Sequence, residues 1–278
     1  MIAPINNIIK FSNVDGPGNR TSIFFQGCNF KCLYCHNPET INTCISCGKC
    51  IDTCPAKALK FIDKKVVWDK NKCVDCDQCI KTCDKLASPK ITYASVEDII
   101  EILKPLFPFI NGITVSGGEC TLHSLFLLEL FKEVKKYGKT CLIDSNGYIP
   151  FTSMKELIEI SDGVMLDVKA VNNKFHRELT GKSNETVLEN LNYLKKIDKL
   201  IEVRTVLLPN HDQFNLETVD YVSKLIGPKI LYRLIRYRPY GVLKSNIAKL
   251  SDEELSKKDS LKYLTLALNN NSLNAFLR

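Results

Sequence analysis

Cysteine is the residue type whose number and spacing in this sequence most clearly indicate chemistry. The chain has 13 cysteines in 278 residues. Three of them, Cys28, Cys32 and Cys35, form a C-x3-C-x2-C run with no fourth cysteine at a matching spacing. A cubane 4Fe-4S cluster takes four thiolates, so three leave one iron open to a small molecule, as catalytic metal sites keep one position open. This cysteine triad therefore predicts a catalytic 4Fe-4S cluster.

Eight further cysteines form two runs of the type C-x2-C-x2-C-x3-C, the pattern of bacterial ferredoxins with two clusters. In that pattern the last cysteine of each run binds the cluster of the other run. The first predicted 4Fe-4S cluster is therefore bound by Cys44, Cys47, Cys50 and Cys83, and the second by Cys54, Cys73, Cys76 and Cys79. Cys120 and Cys141 are expected to pack as small buried hydrophobic side chains.

Disulfides and zinc are the two alternative roles for so many cysteines. Residues 1–10 lack the basic start, apolar run and cleavage site of a signal peptide, which predicts a cytoplasmic protein, where disulfides are rare. Two successive runs of four cysteines at equal spacing are hard to obtain from zinc ribbons. Ferredoxin-type clusters are therefore the preferred interpretation.

Composition and charge indicate a globular protein and exclude some partners. The chain is 45% hydrophobic and 25% charged, with a formal net charge of +7. No apolar run approaches the ~18 residues of a membrane-spanning helix. Lys and Arg are scattered without a single basic stripe. We expect neither a membrane nor a nucleic acid as a partner.

Apolar runs alternate with helix-like segments through most of the chain. Six strands are predicted, at residues 21–25, 113–116, 140–143, 164–168, 203–208 and 230–235, and they are apolar throughout, as expected of strands buried on both faces. Helix starts of the Ser-x-x-acid type are predicted at Ser95, Ser153 and Ser251.

Strand and helix units in series favour a parallel α/β architecture with right-handed crossovers. The chain outside the cysteine-rich segment is too short for an eight-unit barrel of ~250 residues. We expect a partial (β/α)6 barrel formed by residues 1–36 and 93–278. Residues 37–92 are expected to form an inserted ferredoxin-like domain with a hairpin at residues 59–68.

Polar residues recur at the C-terminal ends of the predicted strands, where parallel α/β folds have their active and binding sites. They are Ser116-Gly117-Gly118-Glu119, Asp144-Ser145-Asn146-Gly147, Asp167, Lys169, Arg204, Arg236 and Arg238. Taken singly, each could be a turn or a helix cap. Their recurrence favours one shared site. There the open iron could bind an amino acid, with Glu119 at its ammonium group, Lys169 and Arg204 at carboxylate or hydroxyl groups, and Tyr34 against an aromatic base.

Three runs near the triad carry a family resemblance. Val14-Asp15-Gly16-Pro17-Gly18-Asn19-Arg20, Phe24-Phe25-Gln26-Gly27-Cys28 and Tyr34-Cys35-His36-Asn37-Pro38 resemble the signature of glycyl-radical-enzyme activating enzymes. These enzymes are members of the radical S-adenosylmethionine (SAM) superfamily. With the cysteine-rich segment and the polar strand ends included, the chain most resembles the YjjW-type activases.

The resemblance implies a mechanism. SAM binds the open iron through its methionine amino and carboxylate groups, and one electron cleaves its sulfonium bond to give a 5′-deoxyadenosyl radical. The radical takes a hydrogen atom from a glycine Cα of a partner glycyl radical enzyme. The implied cofactors are three 4Fe-4S clusters, SAM and a monovalent cation, and the implied electron donor is reduced flavodoxin or ferredoxin.

The resemblance also implies roles for individual residues. Tyr34 and His36 are expected to line the cofactor beside the cluster. Further positions match residues that contact SAM or a monovalent cation: Gly117, Gly118 and Glu119 at the amino group, Asp167 and Lys169 along the cofactor, and Asp144, Ser145, Met165 and Asp167 at the cation. Arg238 is predicted to replace a histidine that many relatives carry after the sixth strand.

Two other functions stay open. A radical SAM enzyme could act on a small molecule instead of a protein, and an electron carrier of the polyferredoxin type would catalyse nothing. A carrier does not need six strand and helix units with polar strand ends, so the carrier is the weaker alternative.

Overall fold

The computed structural model describes residues 1–278, which form an α/β fold around one mixed sheet of nine strands. In chain order the strands are β1 (Ile2–Ser12), β2 (Arg20–Phe25), β3 (Asn42–Thr43), β4 (Leu59–Ile62), β5 (Lys65–Trp68), β6 (Ala87–Ser88), β7 (Thr92–Ser95), β8 (Gly112–Gly117), β9 (Thr140–Ser145), β10 (Gly163–Asp167), β11 (Leu200–Leu207), β12 (Leu231–Arg236) and β13 (Ala275–Leu277).

Nine α-helices and four short 3-10 helices connect the strands. The α-helices are α1 (Gln78–Thr82), α2 (Val96–Leu103), α3 (Ser124–Lys135), α4 (Lys155–Ile160), α5 (Asn173–Thr180), α6 (Glu185–Lys196), α7 (Asp212–Ile226), α8 (Lys244–Ile247) and α9 (Lys257–Asn269). The 3-10 helices are Pro38–Thr40, Lys104–Phe109, Cys120–His123 and Phe151–Met154. None of the helices is long and apolar enough to cross a bilayer.

The six predicted strands are confirmed as one parallel series. They pair side by side in the order β2, β8, β9, β10, β11 and β12. Their carboxyl ends therefore meet at one edge of the sheet, as expected for an α/β fold that carries its site there. A cluster of 44 buried hydrophobic residues from the strands and helices forms the main core.

Three strands of the large sheet were not predicted. β1 pairs antiparallel with β2 on one side and with β7 on the other, and β13 adds a parallel strand beside β12. β1 alternates buried and exposed positions only at its start, so it has no continuous apolar run by which a sequence pattern could be recognised.

Two of the three predicted helix starts are wrong in position. The capping box at Ser95 is present, with Ser95 Oγ accepting from Asp98 N at 3.1 Å and Asp98 Oδ2 accepting from Ser95 N at 2.8 Å. Ser153 lies inside a 3-10 helix and donates its hydroxyl to Pro150 O. The last long helix begins after Ser256, whose hydroxyl caps Asp259 N, because Ser256 offers the same signal as Ser251 five positions later.

The segment 37–92 contains β3 to β6 and α1. The predicted hairpin is present as β4 and β5, with Asp63 and Lys64 in left-handed conformations at its turn (φ 46° and 62°), as tight hairpins require. Cys50, Leu59 and Cys79 form a small apolar core that is separate from the main core. These contacts agree with a separately packed insert, while its exact boundaries stay a prediction.

A buried arginine closes the end of the sheet opposite the carboxyl ends of the strands. Arg20 opens β2 and is 2% exposed. Its guanidinium donates to Thr114 Oγ1 at 2.8 Å, to Ile113 O at 2.6 Å and to Thr140 O at 3.1 Å, so it joins three adjacent strands. A planar group with five donors suits this role better than a lysine ammonium.

Candidate active site

A cavity of about 260 Å³ lies where the parallel strands end. Its lining includes every predicted catalytic and cofactor-binding residue except Met165, Arg204 and Arg238. Those residues are Cys28, Cys32, Tyr34, Cys35, His36, Gly117, Gly118, Glu119, Asp144, Ser145, Asp167 and Lys169. The loops of four strands thus converge on one site, as their positions at successive strand ends predict.

The loop that carries the cysteine triad follows β2 and is held by backbone hydrogen bonds on two sides. On one side Gly27 N donates to Thr40 O at 2.8 Å and Cys28 N donates to Ile41 O at 2.9 Å. On the other side, carbonyl oxygens of the last turn of α5 accept from the loop: Lys31 N donates to Thr180 O at 2.9 Å and Leu33 N to Leu179 O at 2.8 Å. Two separate parts of the chain therefore fix the triad.

The thiols of the triad are free and largely buried. No cysteine of the chain is in a disulfide. Burial raises the pKa of both Cys28 and Cys32 to about 12, and it also raises the pKa of Cys35. Iron that binds here must therefore displace protons from these thiols. No three His, Cys, Asp or Glu side chains anywhere in the structure are grouped as the ligands of a single metal ion.

The carboxylate of Glu119 joins the loop after β8 to the loop after β9. Glu119 Oε1 accepts from Thr121 Oγ1 at 2.6 Å and from Ser145 Oγ at 2.8 Å, and Oε2 accepts from Asn146 N at 2.8 Å. Burial raises the pKa of Glu119, against the effect of these hydrogen bonds. Because both oxygens are engaged, the carboxylate positions the two loops, and its contact with an ammonium group stays a prediction.

Asp167 and Lys169 form an ion pair at the end of β10, with Lys169 Nζ 2.6 Å from Asp167 Oδ2. Burial opposes the charged form of Lys169, but the negative charge of Asp167 beside it outweighs this effect and leaves the pKa of Lys169 well above its usual value. The Lys169 ammonium also lies 5.7 Å from the centre of the Tyr34 ring. The Tyr34 hydroxyl is buried and has no hydrogen-bond partner.

An unpartnered buried hydroxyl at a cavity indicates a group that binds there, because burial without a partner costs about 1–3 kcal/mol. The lining offers three thiols for iron and a lysine of fixed positive charge for a carboxylate. Gly117 and Gly118 add a turn that packs directly on the backbone of Phe25 and Gly27, where a Cβ atom would not fit. These residues fit a 4Fe-4S cluster with an amino acid beside it.

Arg204 and Arg238 lie outside the cavity lining. Arg204 is behind Asp144, with its Nη1 2.9 Å from Asp144 Oδ2. The Arg238 side chain points away and pairs with Glu254 at 3.2 Å, and only its backbone carbonyl approaches the site, 3.0 Å from His36 Nε2. The prediction that Arg238 replaces a cofactor-binding histidine is therefore not supported by the geometry. Its neighbours Arg236 and Tyr237 line the cavity instead.

Several lining residues escaped the sequence analysis. Val206 on β11 and Ile235 on β12 form an apolar part of the wall, and Asn37 and Thr40 contribute from the segment after the triad. Val206 is two residues beyond Arg204 on the same strand, so alternation along the strand was a signal for it. Asn37 belongs to the signature run after the triad but was given no role, and Thr40 had no such signal.

The eight remaining clustered cysteines line two further small cavities, grouped as the ferredoxin pattern predicts. One cavity is lined by Cys44, Cys47, Cys50 and Cys83, and the other by Cys54, Cys73, Cys76 and Cys79. Each group takes its fourth cysteine from the other run. Cys120 and Cys141 are fully buried in the main core, as predicted.

Comparison with known proteins agrees with the site. The radical SAM superfamily profile matches residues 22–222. The trans-4-hydroxy-L-proline dehydratase activating enzyme of Clostridioides difficile is 32% identical over 270 residues, which cover 91% of this chain and 87% of that protein. The (2S)-3-sulfopropanediol dehydratase activating enzyme of Klebsiella oxytoca is 31% identical over 249 residues, which cover 81% of this chain and 78% of that protein.

Solved structures show the same fold. QueE from Escherichia coli superposes with a TM-score of 0.55 at 14% identity, over 100% of this chain and 94% of that chain. The family profile, the relatives and the cavity of thiols and strand-end polar groups agree with one another. This chain therefore belongs to the radical SAM superfamily and, within it, to the glycyl-radical-enzyme activating enzymes.

Proposed function

We propose that this protein cleaves SAM reductively and uses the resulting 5′-deoxyadenosyl radical to remove a hydrogen atom from a glycine Cα of a partner glycyl radical enzyme. The observation that carries the proposal is the convergence of the cysteine triad, the Gly117-Gly118 turn and the Asp167–Lys169 pair on one cavity. The relatives that share this chain's sequence over most of its length are activating enzymes.

A 4Fe-4S cluster held by Cys28, Cys32 and Cys35 would supply the open iron for SAM and the electron for its cleavage. The side chains of the protein itself bind SAM and orient it. The Lys169 ammonium stays protonated beside Asp167 and offers a fixed positive charge to the SAM carboxylate. The Tyr34 hydroxyl supplies a donor or acceptor without a partner of its own.

Part of the cavity wall is apolar. Val206 and Ile235 present apolar side chains, and Tyr34 and Tyr237 are buried in a second apolar cluster beside them. A reactive carbon radical abstracts hydrogen from whatever it meets, so a wall of tightly packed side chains favours transfer from the intended glycine. Glu119 keeps two loops of this wall together through its bonds to Ser145 and Asn146.

The experiment is anaerobic reconstitution with iron and sulfide, followed by dithionite and SAM. We expect 5′-deoxyadenosine and methionine as products. When a glycyl radical enzyme from the same organism is added, electron paramagnetic resonance (EPR) should show a glycine-centred signal. SAM cleavage without that signal for any such enzyme would favour action on a small molecule, and no cleavage at all would refute the proposal.

The insert is proposed to bind two 4Fe-4S clusters. Support comes from the two cysteine groups that line separate cavities and from backbone N–H groups close to their sulfurs, with Ser46 N 3.4 Å from Cys44 Sγ and Ala58 N 3.3 Å from Cys54 Sγ. Hydrogen bonds to sulfur tune such clusters. Reduced flavodoxin or ferredoxin is the proposed electron donor.

Iron analysis tests the proposal for the insert. The reconstituted chain should hold about 12 iron atoms, and Cys47→Ser and Cys76→Ser should each lower the content by about four, because each removes a ligand of a different cluster. Cys120→Ser is the matched control, since Cys120 is buried in the main core, and it should keep the full content. Equal iron content in all three variants would contradict the two-cluster insert.

A further inference from the structure

The outer face of the hairpin formed by β4 and β5 combines lysines with exposed apolar side chains. The register pairs Lys60 with Val67 and Ile62 with Lys65, so these four side chains lie on one face of the hairpin. Ile62 is 48% exposed and Val67 is 43% exposed. The two lysines are exposed as well. We call these four residues the hairpin patch.

The opposite face of the hairpin packs on cysteines of the insert. Leu59 on that face is buried in the small core of the insert. Val66, also on that face, donates its backbone N–H to Ser46 Oγ at 3.1 Å. Its side chain lines the cavity of the first cysteine group, which consists of Cys44, Cys47, Cys50 and Cys83. A single layer of strand therefore separates the hairpin patch from this cysteine group.

The first cysteine group is also connected to the triad. Three residues after Cys83, the carbonyl oxygen of Leu86 accepts from Asn42 N at 3.0 Å. The Leu86 side chain lines a cavity of about 230 Å³ together with Cys32 and Cys35 of the triad. The first cysteine group is thus in contact with the hairpin on one side, and the segment that follows it reaches the triad.

The hairpin carries an excess of unpaired positive charge. Between residues 57 and 66 a single acidic residue, Asp63, stands against four lysines, which are Lys57, Lys60, Lys64 and Lys65. None of these four lysines forms an ion pair, whereas four other lysines of the insert each pair with a carboxylate: Lys49, Lys72, Lys85 and Lys90. Unpaired surface charges of one sign attract a partner of the opposite sign and speed its association.

The position of the hairpin patch favours an electron carrier over the glycyl radical enzyme as its partner. No residue of the patch lines the active-site cavity, so the patch is not placed to guide a glycine to it. The patch does lie beside a group of four cysteines. Its small size also suits an electron carrier, because transient electron-transfer complexes are among the smallest protein interfaces.

We propose that the hairpin patch is the docking surface of an acidic protein that carries one electron, and that the electron enters the chain at the first cysteine group. The carrier is oxidised by one electron and iron held by the first cysteine group is reduced by one, and no bond forms or breaks. The proposal rests on the proposed function, since this electron is the one that SAM cleavage consumes.

The first test measures the Kd of a bacterial flavodoxin with an acidic surface for the cluster-loaded protein, by anaerobic isothermal titration calorimetry. We expect the Kd to rise with ionic strength, because salt screens the attraction. At low ionic strength the double variant Lys60→Glu/Lys65→Glu should bind flavodoxin about 10-fold more weakly or worse. Its iron content should not change, because two like charges replace two like charges on an exposed face. Ile62→Ser/Val67→Ser should weaken binding about 3- to 10-fold at every ionic strength, through lost apolar contact.

Lys196→Glu/Lys257→Glu is the matched control. It changes the net charge by the same amount, and both lysines are exposed, lie outside the insert and form no ion pair. This variant should bind flavodoxin within about twofold of the unaltered protein.

The second test locates the point of electron entry by EPR of the cluster-loaded protein with reduced flavodoxin. In Cys47→Ser, which lacks a ligand of the first cysteine group, flavodoxin should no longer reduce the triad cluster, although dithionite still should. Cys76→Ser, which lacks a ligand of the other group, should keep reduction of the triad cluster by flavodoxin.

The docking surface would be overturned by equal flavodoxin affinity of the Lys60→Glu/Lys65→Glu variant and the control. Failure of the unaltered protein to bind either flavodoxin or an acidic ferredoxin at low ionic strength would overturn it too, and binding to anionic phospholipid vesicles in their place would assign the patch to a membrane. The entry point would be wrong if flavodoxin still reduced the triad cluster in Cys47→Ser, or no longer did so in Cys76→Ser. All these results leave the proposed function intact, which fails separately if the unaltered protein does not cleave SAM with dithionite.

Discussion

Replacement of Cys32 by serine is expected to abolish SAM cleavage and to lower the iron content of the reconstituted protein by about four atoms per chain. A serine hydroxyl gives up its proton far less readily than a thiol and is a poor ligand for cluster iron. The triad has no spare ligand, because the other clustered cysteines line separate cavities. Iron analysis and assay of 5′-deoxyadenosine with dithionite measure both effects.

Cys141→Ser is the control for this change, since Cys141 is buried in β9 and belongs to the main core. The control should keep its iron and its SAM cleavage, with the free energy of unfolding lowered by about 1–2 kcal/mol for a buried hydroxyl. A polyferredoxin-type carrier would keep most of its electron transfer after Cys32→Ser. Persistent SAM cleavage in Cys32→Ser would contradict the assignment of the triad as the catalytic site.

The second large effect is expected from Gly118→Ala. A Cβ atom at Gly118 would lie 2.2 Å from Gly27 O and 2.8 Å from Thr40 O, both of them backbone atoms beside the triad loop. The two loops would have to separate, and the hydrogen bond from Glu119 N to Gly27 O at 2.7 Å would be lost or lengthened. Misplacement by about 1 Å costs on the order of 100-fold in rate, so SAM cleavage should fall by about that factor.

Gly138→Ala is the matched control, because its Cβ would meet no atom within 4 Å although its φ is +68°. It should cost about 1–2 kcal/mol of stability for a left-handed alanine and leave SAM cleavage unchanged. Thermal unfolding and SAM cleavage, measured on both variants, separate a local clash at the site from general destabilisation. If Gly118→Ala cleaved SAM at the rate of the control, close packing of the two loops would not matter for the reaction.

The parallel core of the fold was predictable because its strands are continuous apolar runs, and burial on both faces requires such runs. The strands at the margins of the sheet could not be predicted in this way. β1 is half exposed and pairs with β7 across the whole cysteine-rich segment, so its pairing depends on contacts between distant parts of the chain. The start of the last long helix was displaced because Ser251 and Ser256 present equivalent local signals, and tertiary packing selects between them.

Some residues of the site were likewise predictable from the sequence, and others were not. Tyr34, His36 and Lys169 line the cavity as expected, since Tyr34 lies within the triad, His36 follows it directly and Lys169 follows a strand by two residues. Arg238 does not, because its side chain turns to Glu254. Glu202 could not be recognised in the sequence, since an isolated glutamate within an apolar strand indicates nothing until its ion-pair partners, Arg204 and Arg233, are known.

The sequence by itself determined the iron chemistry and the parallel core. Ligands of one cluster lie within a short loop, and strands buried on both faces are uniformly apolar, so both leave a local pattern. Only the tertiary structure decided which charged groups face the cavity and which are already paired. Glu119 contacts Ser145 and Asn146, which lie 26 and 27 residues away in the sequence. Arg204 contacts Asp144, which lies 60 residues away. Contacts at such separations are set by the packing of whole strands, and no local spacing encodes them.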